Sequence, residues 1–384
     1  MLEQIFRNRR ALVTGHTGFK GSWLCEWLVA LGADVWGMSL PPNPGPALFN
    51  QLRLEERLHH RIGDIRDRSV VKEMVNECRP DFVFHLAAQP LVRASYECPV
   101  ETYATNVMGT VHLLESLRCL TKPCAAVMVT TDKCYENREW ERAYSEEDAL
   151  GGHDPYSSSK GAAEIAISAY RRSFFAPEKL LAGLVPPVAL ASARAGNVIG
   201  GGDWALDRIV PDCVRSLEAQ APIGIRNPEA RRPWQHVLDA LGGYLTLAAT
   251  LWIGLTKPTT SSNRLHSICS AFNFGPNDES NRSVRQLVQE ILQYWPGTWS
   301  DLSHGSSVHE ARLLKLSITK AERVLAWHPL WSFEKSVKET MTWYRELSTQ
   351  QCSSEAQSLT QRQIKAFGDL HIDTISKTHN PTDV

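Results

Sequence analysis

Five polar residues in two short segments have the types and the spacing that proton-coupled hydride transfer needs. Thr131 is followed directly by Asp132 and Lys133, and Tyr156 is followed by Lys160 four positions later. On a helix this spacing places the phenol and the amine on one face, where the ammonium can lower the pKa of the phenol. A phenolate can take a hydroxyl proton while a hydride leaves the same carbon. We predict that all five residues are catalytic.

The elements that must hold these residues are short apolar runs that alternate with helical patterns. This alternation predicts βαβ units on a parallel sheet covered on both faces. We therefore expect an α/β fold, a doubly wound parallel (Rossmann) sheet with a smaller interleaved C-terminal substrate lobe. The predicted strands are residues 10–14, 34–38, 81–85, 125–130 and 188–194, and the predicted helices are 21–31, 70–77, 100–117 and 156–175.

The composition changes twice along the chain. We expect residues 1–196 to form mainly the first, Rossmann domain, and residues 197–349, with their Gly, Pro and Trp-rich segments, to form mainly the smaller substrate lobe, interleaved with the first. Residues 350–384 are rich in Ser, Gln, Thr and Lys and hold few aromatic residues, so they bury too little apolar area to offset chain entropy. We predict a mobile polar tail there, with at most one short helix.

Charge, cysteines and hydropathy exclude several classes of protein. The net charge of −1 argues against nucleic-acid and anionic-membrane partners, which need clustered Lys and Arg. The nine cysteines are scattered without a C-x-x-C pair, and the thirteen histidines show no metal-ligand spacing, so we expect no disulfide framework and no metal. We find no signal region and no run near the roughly 20 apolar residues of a membrane span. A cytoplasmic enzyme is expected.

A glycine-rich turn between the first predicted strand and helix indicates a dinucleotide site. The segment from Gly15 to Gly21 reads G-x-x-G-x-x-G, which lets the backbone approach a pyrophosphate at a helix N-terminus. Two further segments follow predicted strands and would flank the cofactor. The expected cofactor-binding residues are Gly15, His16, Thr17, Gly18, Phe19, Lys20, Gly21, Asp64, Ile65, Leu86, Ala87, Ala88, Gln89, Tyr156 and Lys160.

Some of these residues have more than one interpretation. Asp64 either binds the adenine amino group or is a solvated loop residue, and His16 either contacts the cofactor or is an exposed turn histidine. The acid usually sought after the second strand for the ribose hydroxyls is missing, since Ser39 and Leu40 stand there. No Arg replaces it to accept a 2′-phosphate, so NAD is favoured over NADP.

Together these motifs resemble the extended short-chain dehydrogenases/reductases, the NAD-dependent epimerase/dehydratase family, and within it most closely the CDP-glucose 4,6-dehydratases. The resemblance covers about residues 8–345. It rests on the segments Gly15–Gly21, His85–Pro90, Thr131–Asn137, Tyr156–Lys160, Arg194–Trp204 and Arg232–Val237.

The resemblance implies a lyase reaction that converts CDP-glucose to CDP-4-keto-6-deoxyglucose and water, as in deoxysugar and surface polysaccharide biosynthesis. Tyr156 would remove the O4 proton as the C4 hydride passes to tightly held NAD, with Thr131 and Lys160 polarising the phenol. Asp132 would protonate the departing 6-hydroxyl, and the hydride would return to C6. Related dTDP-sugar dehydratases have a Glu at the position of Lys133, so Lys133 is either the C5 base in its neutral form or a stabiliser of the enolate.

The resemblance also implies a set of substrate contacts in the second half of the chain. Asn197 would bind the sugar diphosphate, and Arg232 would pair with phosphate or ribose. Trp204, Trp234 and His236 would line the cytosine pocket, and Glu310 would lie near the ribose. Caps, salt bridges and ordinary core packing are the alternatives for these residues. His85 is expected to be a packed histidine, and Asp132 and Lys133 have the alternative of a surface ion pair.

Two rival functions stay open. An epimerase or dehydratase of another nucleotide sugar (UDP-, dTDP- or GDP-linked) would share Tyr156 and Lys160, and a non-catalytic NAD(H)-binding sensor would share the fold. The resemblance further implies a homodimer or homotetramer, paired through a helix bundle of residues 100–117 and 162–175.

Overall fold

The computed structural model describes residues 1–257, 261–303, 313–349 and 353–378. The strands are β1 Arg10–Thr14, β2 Asp34–Ser39, β3 His59–Ile62, β4 Phe82–His85, β5 Cys124–Val129, β6 Val188–Arg194, β7 Val198–Ile199, β8 Ile223–Ile225, β9 Arg231–Pro233, β10 Gln235–His236, β11 Ala271–Asn273, β12 Asn281–Ser283 and β13 Trp299–Asp301. The helices are α1 Leu2–Phe6, α2 Phe19–Ala30, α3 Leu48–Gln51, α4 Arg68–Cys78, α5 Val92–Glu97, α6 Pro99–Tyr103, α7 Gly109–Leu117, α8 Pro155–Phe174, α9 Pro177–Leu181, α10 Ile209–Glu218, α11 Val237–Thr256, α12 Ser262–Ile268, α13 Val284–Tyr294, α14 Thr319–Leu325, α15 Phe333–Thr349 and α16 Ser353–Thr378.

A seven-stranded sheet of order β11-β6-β5-β4-β1-β2-β3 forms the centre of the molecule. Every neighbouring pair in it is parallel. The strand order reverses between β1 and β4, and ligands of open α/β sheets bind at such a switch point, beyond the carboxyl ends of the strands. The predicted doubly wound fold is confirmed.

The two faces of the sheet are buried under separate apolar clusters because alternate residues of each strand point to opposite sides. In β5, Ala125, Val127 and Val129 pack into the larger cluster, together with α2 and α11. Cys124, Ala126 and Met128 pack into the other cluster, with α4, α7 and α8. Burial on both faces makes the strand a continuous apolar run, which explains why it was recognisable from the sequence.

Helix α11 corrects the expectation that no segment is long and apolar enough to span a membrane. Its 20 residues meet that criterion by length and composition. Sixteen of them are buried, and the helix packs on β5 and β6. It is therefore a core helix, and its apolar surface packs inside this chain.

Residues 197–349 do not stand apart from the large sheet. Strand β11 is one of its two edge strands, paired with β6, and α11 covers one face. The remaining strands of this range form three small two-stranded sheets, β7 with β10, β9 with β12 and β8 with β13.

The prediction of a polar tail with at most one short helix is wrong for the described part of the tail. Helix α16 is 26 residues long, and it packs against α2 and α15. Leu359, Ile364 and Phe367 are buried, and the Phe367 ring lies 5.7 Å from the Trp27 ring and 5.4 Å from the Trp331 ring. The average composition concealed these apolar residues, which recur at helical spacing and so share one face.

Candidate active site

The carboxyl end of β5 carries the first predicted catalytic segment. Thr131 caps a short 3-10 turn, Asp132–Cys134, by accepting a hydrogen bond from the backbone of Lys133. Helix α8 carries the second segment, and it begins where Asp154 accepts a hydrogen bond from the Ser157 backbone at 2.9 Å. A cap followed by Pro155 fixes the first turn of the helix, so the position of Tyr156 is set by rigid local geometry.

Tyr156 and Thr131 meet at this edge of the sheet. Both side chains are buried, and the Thr131 side chain favours the ionised form of the Tyr156 phenol. The pKa of Tyr156 is raised to about 12, mainly by burial and also by the nearby carboxylate of Asp132, while Thr131 and Arg208 oppose the shift. The expectation that the neighbouring ammonium leaves the phenol with a lowered pKa is therefore wrong for the protein alone, because desolvation has the larger effect.

Lys160 lies one helical turn after Tyr156, as the spacing predicted. Burial lowers the pKa of its amine to about 8, although the carboxylate of Glu164 opposes the shift. Beneath it, Glu164 accepts hydrogen bonds from Thr130 at 2.5 Å and from Ser192 at 2.8 Å, and pairs with Arg194 at 2.9 Å. Although burial opposes ionisation, the charge of Arg194 holds the pKa of Glu164 below its ordinary value.

This buried network was missed in the sequence. It extends from Arg194 to the Tyr135 hydroxyl at 2.7 Å, and from that hydroxyl to the Asn273 side chain at 2.7 Å. It ties α8 to β6 and β11, and so fixes the helix that carries Tyr156 and Lys160. The available signal was a glutamate four residues after Lys160, on the same helical face.

Asp132 is held by hydrogen bonds to both carboxylate oxygens. The Thr131 hydroxyl donates to Oδ1 at 2.9 Å, and the Asn197 amide donates to Oδ2 at 3.1 Å. Gly196 is required beside it, since a Cβ there would lie 2.0 Å from the carboxyl group. Asp132 is only 2% exposed, so the alternative of a surface ion pair with the half-buried Lys133 is wrong.

Two glycines of the glycine-rich turn, Gly15 and Gly21, leave no room for a Cβ. Gly15 has a φ of 75°, and a Cβ on it would lie 2.6 Å from the Ala87 nitrogen. A Cβ on Gly21 would lie 2.1 Å from the Gly15 carbonyl oxygen. Gly18 begins α2 without a side-chain cap, so the first backbone N–H groups of the helix point out of the turn.

The His16 ring is fully buried, so the exposed-turn interpretation is wrong. Its Nε2 lies 2.7 Å from His60 Nδ1, and its ring packs on Phe49 and over Gly37. Burial lowers the pKa of His16 to about 3, which keeps the ring neutral. The Thr17 hydroxyl reaches Ser39 at 2.9 Å, where the ribose-binding acid of other dinucleotide folds would stand.

Lys20 brings a positive charge between the turn and the predicted catalytic residues. Burial lowers the pKa of its amine to about 8, with further lowering by Arg208 and Lys160. The ammonium lies 5.9 Å from the centre of the Tyr244 ring, on α11. The Tyr244 hydroxyl is buried without a hydrogen-bond partner among the described residues, and its surroundings include Tyr156 and Asp132.

The remaining predicted cofactor residues follow β3 and β4. Asp64 forms an exposed ion pair with Arg66 at 2.6 Å, while Ile65 is buried against Gly109. Leu86, Ala87, Ala88 and Gln89 come directly after β4. The predicted helix 100–117 is interrupted by a π-helical segment, Ala104–Met108.

The π-helical segment positions a side chain at the carboxyl edge of the sheet. It turns Asn106 inward, so that its side chain bonds the Gln89 backbone and the Ser159 hydroxyl at 2.9 Å. Segments of this kind are frequent at functional sites. His85 is buried between Thr14 at 2.7 Å and Thr110 at 3.0 Å, which agrees with a packed histidine.

The predicted substrate residues are only partly gathered here. Asn197 contacts Asp132, as described above. His236 is wrong as a base-pocket residue, because it is fully buried, caps α11 and packs on Trp23 and Trp331. Trp234 is buried, with its indole N–H on the Arg282 carbonyl at 3.1 Å.

The three other predicted substrate residues are Trp204, Arg232 and Glu310. Trp204 is half-buried on Tyr344, with 5.2 Å between the rings. Arg232 is buried and donates to the Arg231 carbonyl at 2.8 Å. Glu310 lies outside the described residues.

Known proteins are similar to this chain along most of its length. Residues 12–251 match the protein family described as GDP-mannose 4,6 dehydratase. The CDP-glucose 4,6-dehydratase of Salmonella typhimurium strain LT2 is 46% identical over 344 residues, which are 89% of this chain and 92% of that relative. The dTDP-glucose 4,6-dehydratase of Xanthomonas campestris pv. campestris is 24% identical over 87% of this chain and 92% of its own.

Solved structures share the fold at low identity. The UDP-glucose 4-epimerase of Thermotoga maritima matches with a TM-score of 0.72 at 20% identity, over 88% of this chain and 99% of its own. The dTDP-glucose 4,6-dehydratase of Streptomyces venezuelae, solved with NAD, matches with a TM-score of 0.70 at 24% identity, over 88% of this chain and 97% of its own. The motif resemblance is confirmed, and the chain belongs to the GDP-mannose 4,6 dehydratase family of extended short-chain dehydrogenases/reductases.

Proposed function

We propose that this protein is an NAD-dependent hydro-lyase that converts CDP-glucose to CDP-4-keto-6-deoxyglucose and water. The observation that carries the proposal is the meeting of Tyr156, Thr131 and Asp132 at one buried point of the sheet edge. A base and an acid are needed side by side for oxidation followed by elimination, whereas a simple epimerase needs only the base. The similarity to the Salmonella CDP-glucose 4,6-dehydratase supports the choice of nucleotide.

The chain's own residues fit NAD as the cofactor. The N-terminus of α2 has no side-chain cap, and the backbone is tightly packed at Gly15 and Gly21, so the turn suits a pyrophosphate. The backbone N–H groups and Lys20 would bind its negative charge. Hydroxyl groups of Thr17 and Ser39 suit the hydroxyls of a ribose. The segment Ser39–Pro42 after β2 holds no Arg that would accept a 2′-phosphate, which favours NAD over NADP. When bound, NAD supplies a hydride acceptor that later returns the hydride.

Tyr156 is the base for the first step. As a phenolate it takes the O4 proton while the C4–H bond breaks, which leaves a 4-keto sugar with an acidic C5–H. Lys160 supplies positive charge beside the phenolate, and its pKa of about 8 keeps it largely protonated near neutral pH. Glu164 below it favours the same charged form.

Asp132 and Lys133 carry the elimination. Asp132, buried and oriented by Asn197, gives a proton to the departing 6-hydroxyl. Lys133 follows in the chain and is half-buried, so it is placed to take the C5 proton or to stabilise the enolate. The hydride then enters C6, and a proton returns to C5.

An isotope experiment tests this function. Purified protein is incubated with CDP-[4-²H]glucose in water, and with unlabelled CDP-, dTDP-, UDP- and GDP-sugars in deuterated water. We expect a 4-keto-6-deoxy product from CDP-glucose alone. The labelled sugar should give a product with the C4 deuterium moved to C6, and the incubation in deuterated water should give one solvent deuterium at C5. A 4-epimer without solvent label would instead support an epimerase, and no turnover of any sugar would support a binding protein.

We also propose a homodimer in the cytoplasm, paired through the helices of residues 100–117 and 162–175. Apolar side chains of these helices lie at the surface, with Val100 74%, Ile165 59% and Met108 47% exposed. Pairing two copies of these helices into a four-helix bundle would bury them. Exposed apolar residues grouped in this way are typical of an interface between subunits.

A further inference from the structure

The Tyr135 phenol is buried between the carboxyl ends of β6 and β11. Arg194 Nη1 donates to its hydroxyl at 2.7 Å, and the hydroxyl donates to Asn273 Oδ1 at 2.7 Å. The Asn273 amide nitrogen donates to the carbonyl oxygens of Tyr144 at 3.0 Å and Ser317 at 3.2 Å, which leaves Oδ1 as the acceptor. Tyr135 is 1% exposed, Arg194 3% and Asn273 0%. The position of the phenol oxygen is therefore fixed from both sides.

Arg194 also connects this phenol to the helix that carries the proposed base. Its Nη2 donates to Glu164 Oε2 at 2.9 Å. Glu164 lies four residues after Lys160, on the same face of α8. The planar guanidinium presents several N–H groups in a fixed arrangement, so it can bond a carboxylate and a phenol at once, which the single ammonium of a lysine does less well. Helix α8 and the Tyr135 side chain are thus joined through one buried group.

Tyr135 directly follows the 3-10 turn Asp132–Cys134, which carries the proposed acid. Thr131 fixes the start of this turn by accepting the Lys133 backbone N–H at 3.3 Å. The end of the turn is anchored by the buried Tyr135 side chain. The turn also rests on α8, since a Cβ on Gly161 would lie 3.2 Å from the carbonyl oxygen of the last residue of the turn. The backbone and the Tyr135 hydroxyl therefore both hold the turn against the helix.

Packing of the Tyr135 ring does not depend on its hydroxyl. The ring stacks on Tyr144 with 5.3 Å between the ring centres, and Tyr144 stacks on Trp140 at 5.7 Å. The Arg194 guanidinium lies 4.9 Å from the centre of the Tyr135 ring. A phenylalanine at this position would keep these ring contacts and lose the two hydrogen bonds.

We propose that Tyr135 is a positioning residue, whose hydroxyl holds Asp132 and Lys133 in place against helix α8. It acts through Arg194, which bonds both the phenol and the helix. This inference rests on the proposed function and adds to it the group that keeps oxidation and elimination aligned on one sugar. Oxidation at C4 depends on Tyr156 of α8, whereas elimination also needs the turn to reach C5 and C6. Loss of the hydroxyl should therefore slow the elimination and spare the oxidation.

The test is a single-turnover assay of Tyr135→Phe with the NAD-loaded protein and CDP-glucose. Samples quenched at increasing times give CDP-4-ketoglucose and CDP-4-keto-6-deoxyglucose separately. We expect the intermediate to form at a rate within about twofold of the wild type and to be converted about tenfold more slowly or worse, because a displacement of about 1 Å can cost about 100-fold. The ratio of the two rates does not depend on how much of the protein is active. Equal slowing of both steps, or of neither, would overturn the positioning role.

Hydrogen exchange of backbone amides gives a readout that needs no turnover. Without the Tyr135 hydroxyl, the amides of Asp132–Cys134 should exchange faster in the protein alone, while those of α8 should keep their rates, because protection follows local opening. Mass spectrometry of peptides from the two segments measures this difference. Equal acceleration in the turn and the helix would mean general loosening and would count against the proposal.

Ser192→Ala is the matched control. Its buried hydroxyl donates to Glu164 at 2.8 Å, so this variant removes a hydrogen bond from the same network and leaves both bonds of the phenol. We expect any loss in this variant to affect the elimination no more than the oxidation. A selective loss of elimination like that expected for Tyr135→Phe would also overturn the proposal.

A second variant keeps the proposal testable if Tyr135→Phe does not fold. Asn273→Ala removes the acceptor of the phenol and leaves the phenol bonded to Arg194, so it should slow elimination selectively by a smaller factor, and a loss without selectivity would contradict the proposal. If the wild-type protein forms neither CDP-4-ketoglucose nor the 4-keto-6-deoxy product, the proposed function fails together with this inference. If it forms both and the variants show no selectivity, the positioning role alone fails.

Discussion

Positive charge is the main property that Lys20 adds to the site. Its pKa of about 8, against an ordinary 10.5, reflects burial first and then the neighbouring cations Arg208 and Lys160. A cation that lowers the stability of the folded protein is typical of a site that binds an anion. The turn beside Lys20 is the proposed binding site of the pyrophosphate. This gives a prediction that separates binding from folding.

We predict that Lys20→Met weakens NAD binding by about tenfold or more, because a hydrogen bond to a charged group contributes about 1.5–3 kcal/mol. Lys20→Arg, which keeps the charge, should lose less. In the wild type, NAD affinity should fall as pH rises through about 8, where Lys20 loses its proton, and this fall should be absent in the Met variant. Calorimetric titration of the cofactor-free proteins between pH 6.5 and about 9 measures both effects.

The same substitution has the opposite sign for stability. Between pH 8 and 10.5 the unfolded chain holds the Lys20 proton and the folded chain does not, so this group makes the folded state more stable as pH rises through that window. The Met variant should lack that rise and should melt no lower than the wild type at neutral pH. A lower melting temperature at neutral pH would mean that Lys20 has a structural role instead.

Helix α16 shows how a single element can stabilise the part of the molecule that carries the glycine-rich turn. Phe367 packs between Trp27 of α2 and Trp331, and Gln361 donates to the buried Glu26 of α2 at 2.8 Å. Because the glycine-rich turn lies at the start of α2, the proposed cofactor site depends on the position of α2. Packing of α16 against α2 stabilises that position.

We predict that Phe367→Ala destabilises the protein by about 3–5 kcal/mol, the usual cost of removing a buried aromatic ring. The neighbouring Gly368→Ala should do the reverse. A Cβ there meets nothing within 4 Å, so the change relieves the entropic cost of a helical glycine and should stabilise by about 0.5–1 kcal/mol. Urea denaturation measures both, and equal effects of the two variants would contradict the packing described for α16.

The elements differ in how far local sequence could predict them. Five of the seven strands of the large sheet, and the pair on α8, follow from local periodicity, so they could be predicted, whereas β3 and the edge strand β11 are not among the predicted strands. The Glu164–Arg194 network could not, because its partners lie 30 positions apart and meet only after β6 joins the sheet. His236 could not either, since a histidine that caps a core helix has the same local sequence context as one that faces a pocket.

For the whole molecule, charge and shape favour self-association. The net charge of −1 gives two copies little mutual repulsion, and the exposed apolar side chains of residues 100–117 and 162–175 lie on helices that pack beside one another. Helix α8 carries Tyr156 and Lys160 on its inner side and Ile165 outward. The proposed pairing surface and the catalytic pair therefore share one helix, so pairing would also hold the helix that positions the base.

We predict that Ile165→Glu converts a dimer to monomers, because a charge buried in an apolar interface would be desolvated without a partner. Leu184→Glu is the matched control, since Leu184 is 75% exposed against 59% for Ile165 but lies after α9, away from the proposed bundle. Sedimentation velocity at several concentrations should give monomer for the first variant and dimer for the wild type and the second. A wild type that is monomeric, or an Ile165→Glu variant that stays dimeric, would place the subunit contact elsewhere or remove it. If the monomer retains turnover, pairing stabilises α8 without being required for its chemistry, and a parallel loss of kcat would mean that α8 needs its partner to hold Tyr156 in place.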